Sequence, residues 1–158
     1  MSLDLANLRV LVLGLGLTGR SAARFCAERG ARVVAADERD AEALGDLAEL
    51  GGVELALGDG FPDPADFDLV VPSPGVAPER YRARARKIWG DVELAYRALP
   101  VPIVAITGTN GKSTTTRLVE ALLRGAGLRA RAAGNVGEPV LELVGEALDV
   151  VVLEVSSV

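Results

Sequence analysis

The sequence predicts an α/β chain: a Rossmann-like N-terminal domain over residues 1–99, then the first part of a P-loop-type α/β domain over 100–158. Three observations carry this. Short apolar runs alternate with stretches of helical spacing. Gly14-Leu15-Gly16-Leu17-Thr18-Gly19 lies between the first apolar run and the first helical stretch. Ile106-Thr107-Gly108-Thr109-Asn110-Gly111-Lys112-Ser113-Thr114 holds the equivalent place after a later run, and Pro100 and Pro102 punctuate the join.

Taken in order, Arg9–Leu13 reads as a buried strand, and the glycine hexapeptide after it fits G-x-G-x-x-G. A helix is expected over 18–29, closed by Gly30. A second strand over 32–36 ends at Asp37, an acidic residue about 20 positions past the glycines, as a dinucleotide-binding βαβ unit requires. Asp37, Glu38 and Arg39 either grip the polar head of a ligand or form a charged turn. A helix over 41–50, a strand over 53–57, a Gly/Pro loop over 58–65 and a strand over 67–71 follow. Ser73 and Gly75 then lie beyond a strand's carboxyl end, where open α/β sheets bind ligands; the alternative is a Pro-stiffened turn. The basic run Arg80 to Lys87 reads as a solvated helix face rather than an anion site. Ile88-Trp89-Gly90 reads as a short last strand, and 91–99 as a helix capped by Asp91.

In the second half, Val101 to Ile106 reads as a short buried strand that leads into the loop. A helix from 113 to 124 carries Leu118, Ala121 and Leu122 at i, i+3, i+4. A helix start offers unpaired N–H groups and partial positive charge to an anion. Gly108 and Gly111 let the backbone curl around it, Lys112 adds a full charge, and the Ser113 hydroxyl can hold Mg²⁺. The usual first glycine of this pattern is absent, because Ile106 stands there. A strand over 128–132, the loop Gly134-Asn135-Val136-Gly137, a helix over 138–148 and an apolar strand over 149–155 complete the chain. Glu154 closes that last strand. A buried unpaired carboxylate costs several kcal/mol, so a shared Mg²⁺ is the favoured partner and exposure at the strand end the alternative.

The chain has 158 residues, 49% hydrophobic, enough for a real core. No apolar run approaches the length of a membrane span, and the start lacks the features of a secretory signal. The net charge of −5 argues against a nucleic-acid partner, although screening beyond about 8 Å leaves a local phosphate site to its own N–H groups and lysine. With no histidine, imidazole chemistry is excluded within the chain. The single cysteine, Cys26, reads as a small buried hydrophobe in a reducing compartment.

These motifs resemble the Mur ligases of peptidoglycan synthesis, and among them the D-glutamate-adding branch. The resemblance is carried, in family order, by Gly14 to Gly19, Ser73-Pro-Gly-Val76, Gly90-Asp-Val-Glu-Leu94, Ile106 to Thr114, Gly134 to Gly137 and Leu153-Glu-Val-Ser-Ser157. It implies a cytoplasmic, monomeric, ATP- and Mg²⁺-dependent ligase. UDP-N-acetylmuramoyl-L-alanine and D-glutamate would be its substrates, joined through an acyl phosphate. Leu17 and Thr18 would contact the uridine nucleotide's diphosphate, Asp37, Glu38 and Arg39 would lie near the uracil, Ser73 and Gly75 beside the same ligand, and Asn135 would contact substrate. Gly108, Thr109, Asn110, Gly111, Lys112, Ser113 and Thr114 would bind ATP, with Lys112 catalytic and Ser113 and Glu154 holding the metal. The family continues past this point, and the apolar strand at residue 155 leads to the expectation of an N-terminal portion that does not turn over alone. Two other readings compete: an NAD-dependent oxidoreductase, which leaves Gly108 to Thr114 unexplained, and a non-catalytic nucleotide-binding module.

Overall fold

The computed structural model describes residues 3–135 and 137–156. Val136 and Ser157, parts of the motifs above, lie outside the described residues. The chain divides into two compact units, Ser2–Glu93 and Leu94–Val158, with the division inside a helix.

In the first unit, β1 (Arg9–Leu13), β2 (Arg32–Asp37), β3 (Glu54–Leu57) and β4 (Leu69–Pro72) form a parallel sheet in the order β3-β2-β1-β4. β1 is central, and its residues after Arg9 are buried on both faces, as expected of a parallel strand covered on each side. Helix α1 (Leu17–Glu28) packs on this sheet through Ala22, Ala23, Phe25 and Cys26. Cys26 is buried, and burial pushes its thiol up to about 12, so it serves as the small hydrophobe expected. Leu11, Leu13, Ala36, Phe67, Val70 and Tyr81 form a second cluster, against which Phe61, Val76, Ala85 and Ile88 pack.

Three expectations for this unit change. The helix over 41–50 is only α2 (Ala41–Leu44), then a 3-10 turn at Ala48–Leu50, because Gly45 adopts φ 73° and ends the helix. The basic run is not a helix face. A 3-10 turn at Pro78–Arg80 leads into isolated turns that seat Tyr81 and Ala85 on the sheet. Packing of these two residues, rather than a continuous hydrogen-bond ladder, sets the backbone. The strand expected at 88–90 reduces to one parallel bridge between Val70 and Ile88.

Helix α3 (Asp91–Ala98) contains the division. Asp91 is its first helical residue rather than its cap, and burial raises its carboxyl's pKa.

In the second unit, β5 (Ile103–Ile106), β6 (Ala130–Gly134) and β7 (Val150–Glu154) form a parallel sheet in the order β5-β7-β6. The strand expected to be buried before the loop is half-buried to exposed, because β5 is an edge strand and β7 takes the central, buried place. Helix α4 (Lys112–Gly125) packs on it. The apolar triad of α4 faces outward: Leu118 is 57% and Leu122 64% exposed. Buried Thr116 points the other way, and Glu120 accepts the Ala132 N–H at 3.0 Å, so the helix turns a partly polar face to the strands. The helix expected over 138–148 is a 3-10 turn at Val140–Leu143. Pro139 lacks an N–H, Gly145 adopts φ 101°, and Val140, Leu141 and Leu143 are held by burial.

Candidate functional sites

The register of the first sheet sets three strand ends level. Leu13 pairs with Ala36 on one side and Pro72 on the other. Gly14, Asp37 and Ser73 therefore stand level, Gly14 and Ser73 just past their strands and Asp37 as the last residue of β2, at the point where the strand order departs from chain order. This is the topological switch point of an open α/β sheet. A cavity of about 720 Å³ lies there, within the usual range for small-molecule sites. The segments after β1 (Gly14, Gly16, Leu17, Thr18), after β2 (Asp37, Glu38, Arg39) and after β4 (Ser73 to Ala77) line it, with Phe61 and Arg80.

Glycine is required at two of these positions. Gly14 turns with φ 85° and lies so close to Ser73 and Val76 that a Cβ would stand 3.1 Å from each. Gly19, inside α1, lies against the Gly14 carbonyl: a Cβ there would sit 1.7 Å from that oxygen. The Ser73 hydroxyl donates to the same oxygen at 2.9 Å. Arg20 fixes the loop from behind, donating to the carbonyls of Leu15, Leu44 and Asp46 at 3.1, 2.5 and 2.6 Å. The first turn of α1 has no acidic residue and no side-chain cap, so its N–H groups are not met by a capping side chain.

Asp37 is buried, and its carboxylate is fully engaged. It accepts the Leu15 N–H at 2.6 Å, the Arg39 N–H at 2.9 Å and the Arg39 guanidinium at 2.9 and 2.8 Å. The Arg39 side chain, helped by these backbone N–H groups, holds the Asp37 carboxyl well below the usual carboxylate range. An acid that binds the ribose diol of NAD needs a free oxygen. Here the charge is turned inward to organise the loop after β1. Leu17 is 81% exposed at the rim, and Glu38 forms an ion pair with Arg80.

The second unit repeats the plan. Ile106 and Gly134 both pair with Glu154, so the loop after β5, the end of β7 and Asn135 emerge side by side. Ile106 remains in β5, which accounts for the missing first glycine: the strand continues where that glycine would begin the loop. Gly111 precedes α4, and Lys112 begins it, with its Nζ donating to the Gly108 carbonyl at 2.7 Å. No acidic residue occupies the first turn. The Asn135 N–H donates to the Glu154 carbonyl at 3.3 Å and its side-chain amide to Ser156 Oγ at 2.6 Å.

Glu154 is 5% exposed, and among the described residues its Oε2 has no hydrogen-bond partner; buried Thr116 Oγ1 has none there either. Such atoms are costly in an interior. No cluster of three or more His, Cys, Asp or Glu able to hold a metal exists among the described residues. The donors therefore do not make a protein-only cage, but they suit Mg²⁺, which binds one or two protein oxygens and completes its octahedron with phosphate and water.

Sequence reasoning missed Phe61, Arg80 and Thr116. A lone aromatic in a Gly/Pro loop was a usable signal for Phe61. Arg80 was hidden in a basic run, and a threonine three residues past Ser113 carries no signal of its burial. Among the described residues no helix is long and apolar enough to cross a membrane.

Residues 8–88, about half of the chain, match the family model for the Mur ligase MurD-like N-terminal domain. Over 98% of the chain, identity is 44% to a UDP-N-acetylmuramoylalanine–D-glutamate ligase of Geobacter metallireducens and 48% to one of Anaeromyxobacter dehalogenans. The chain spans 37% and 36% of those proteins' lengths. A pseudomurein peptide ligase type C from Methanothermus fervidus superposes on 96% of the chain with a TM-score of 0.53 at 25% identity, the match covering 33% of that protein. The chain belongs to the MurD-like Mur ligases.

Proposed function

We propose that this chain supplies the uridine-nucleotide site and the ATP phosphate site of an ATP-dependent ligase that adds D-glutamate to UDP-N-acetylmuramoyl-L-alanine. Residues 1–99 form the first site's domain, and residues 100–158 begin the second. The observation that carries the reading is the inward-turned Asp37. A Rossmann-like loop whose acid is saturated by Arg39 and Leu15 is built for a nucleotide other than NAD.

The diphosphate lies over the uncapped first turn of α1, at Leu17 and Thr18, where N–H groups and the helix dipole favour an anion. Ser73 and Gly75 wall the same ligand. Asp37, Glu38 and Arg39 lie by the uracil, with Asp37 shaping the wall and the Glu38 backbone and the remaining N–H groups of the Arg39 guanidinium offering donors.

In the second unit, the backbone of Gly108, Thr109, Asn110, Gly111 and Thr114 cradles the ATP phosphates. Lys112 leaves the Gly108 carbonyl for the β- and γ-phosphates. Ser113 and Glu154 would hold Mg²⁺, which would supply charge neutralisation at the phosphates. Asn135 contacts substrate. The reaction is phosphoryl transfer to the muramoyl-alanine carboxylate, then attack of the D-glutamate amine on the acyl phosphate with release of phosphate. A carboxylate oxygen is a poor leaving group until it is phosphorylated. This chain's residues contribute alignment and charge neutralisation rather than covalent chemistry.

The test is a ligand-dependent melt. The single tryptophan, Trp89, lies in the first unit and reports its unfolding. UDP-N-acetylmuramoyl-L-alanine at 100 times its dissociation constant should stabilise that unit by about 2.7 kcal/mol. A tryptophan-detected transition that does not move at millimolar ligand contradicts the assignment.

A further inference from the structure

The ion pair between Glu38 and Arg80 crosses the cavity from one wall to another. Glu38 follows β2 and Arg80 lies beyond β4. In the sheet order these two strands flank β1. The pair therefore links the segments on either side of the loop that begins at Gly14, and both residues line the cavity. Neither side chain is locked: Arg80 is 46% and Glu38 60% exposed. The Arg80 guanidinium also lies over the Phe61 ring, 5.1 Å from its centroid, so it keeps one partner at the cavity if Glu38 releases it. The charged side chains at the cavity are Asp37, Glu38, Arg39 and Arg80. Arg39 is spent on Asp37, which leaves Arg80 as the cation whose partner is a weak, exposed one.

We propose that Arg80 is an exchangeable counter-ion for the nucleotide's diphosphate: Glu38 holds it across the cavity until the ligand's phosphates displace the carboxylate. The inference rests on reading the cavity as a uridine-nucleotide site. A diphosphate carries more charge than one carboxylate and accepts the guanidinium fork in the same bidentate way. Glu38 is then an internal competitor, and its removal and that of Arg80 act in opposite directions. A structural strut would give the same sign for both.

The experiment is calorimetric titration with UDP and with uridine, with every protein carrying Lys112→Ala so that the phosphate loop contributes no heat. Arg80→Gln should lower the ratio of UDP to uridine affinity about tenfold, the loss of one charge-assisted contact. Glu38→Gln should tighten UDP binding two- to fivefold, the release of an exposed ion pair. In the double variant the Glu38→Gln gain should vanish, because it acts through Arg80. Arg80→Lys keeps the charge without the fork and should fall between Arg80→Gln and the parent; it serves if Arg80→Gln melts early. An unchanged UDP-to-uridine ratio in Arg80→Gln, weaker UDP binding in Glu38→Gln, or a Glu38→Gln gain that survives in the double variant each overturn the proposal while leaving the uridine site standing. A parent protein that binds neither UDP nor uridine overturns the site itself, and the proposal with it.

Discussion

Replacing Gly19 by alanine sets two physical effects against each other. Gly19 lies within α1, where an interior Gly→Ala change is worth about 0.8–1.0 kcal/mol in favour of the helix. The new Cβ would stand 1.7 Å from the Gly14 oxygen and 2.8 Å from Ser73 Oγ. Ordinary contact needs more than 3 Å, and a backbone carbonyl cannot swing aside as a flexible side chain can. The Gly14 turn or the start of α1 must therefore move by more than an ångström, and the Ser73–Gly14 bond is lost with it. Overpacking costs about 1–3 kcal/mol and a lost hydrogen bond about 1. After the propensity gain, the net destabilisation is about 2 kcal/mol. In urea, with a slope of about 2 kcal/mol/M, the midpoint reported by Trp89 fluorescence should fall by about 1 M. Gly16→Ser is the control: nothing lies within 4 Å of a Cβ there, φ is −72°, and serine can cap α1, so its midpoint should hold or rise slightly. A Gly19→Ala midpoint equal to or above that of the unchanged chain would refute the close-approach argument.

Three further outcomes follow. Asp37 has a depressed folded-state pKa, so its contribution is complete above its ordinary 3.8 and is lost as pH falls through the folded value. Asp37→Asn should cost about 1–3 kcal/mol at pH 7, and urea titrations at pH 6 and pH 2.5 should show that gap narrowing in acid; a constant gap would contradict the assignment. Lys112→Ala should lower ATP affinity by at least about tenfold while leaving the melting profile almost unmoved, since its hydrogen bond is to its own loop's Gly108 carbonyl; calorimetry and a melt together check this. Glu154→Gln removes a buried charge whose Oε2 is unpartnered, so stability should hold or rise by about 1 kcal/mol while ATP binding loses its dependence on Mg²⁺; a clear loss of stability would show that the carboxylate has a structural partner.

How far the sequence could be read depended on whether local pattern or tertiary packing decided each element. β1 and the glycine loop were legible because a strand buried on both faces is a continuous apolar run, and a turn with φ 85° needs glycine. The loop at Lys112 was legible from its glycines, Gly108 and Gly111, which turn with φ 143° and 74°, although β5 before it is not buried. The segment 78–87 was not. Its arginines look like a solvated helix, but Tyr81 and Ala85 are fixed by the sheet beneath them, while Arg80 and Arg84 reach Glu38 and Asp63 in exposed ion pairs. Nor was 138–148, where burial of Val140, Leu141 and Leu143 holds a single 3-10 turn between Pro139 and Gly145. At the site, residue type pointed to Asp37, but only the fold shows that Arg39 consumes its charge. That engagement leaves Asp37 no free oxygen for the ribose diol of a nicotinamide nucleotide.

The account rests on which nucleotide occupies the cavity at the end of β1. The most direct measurement is a calorimetric titration of this chain with UDP-N-acetylmuramoyl-L-alanine, with NADH in parallel. The account predicts one-to-one heat with the uridine ligand, weakened by Thr18→Ala or Asp37→Ala, and none with NADH. Heat with NADH alone would contradict it.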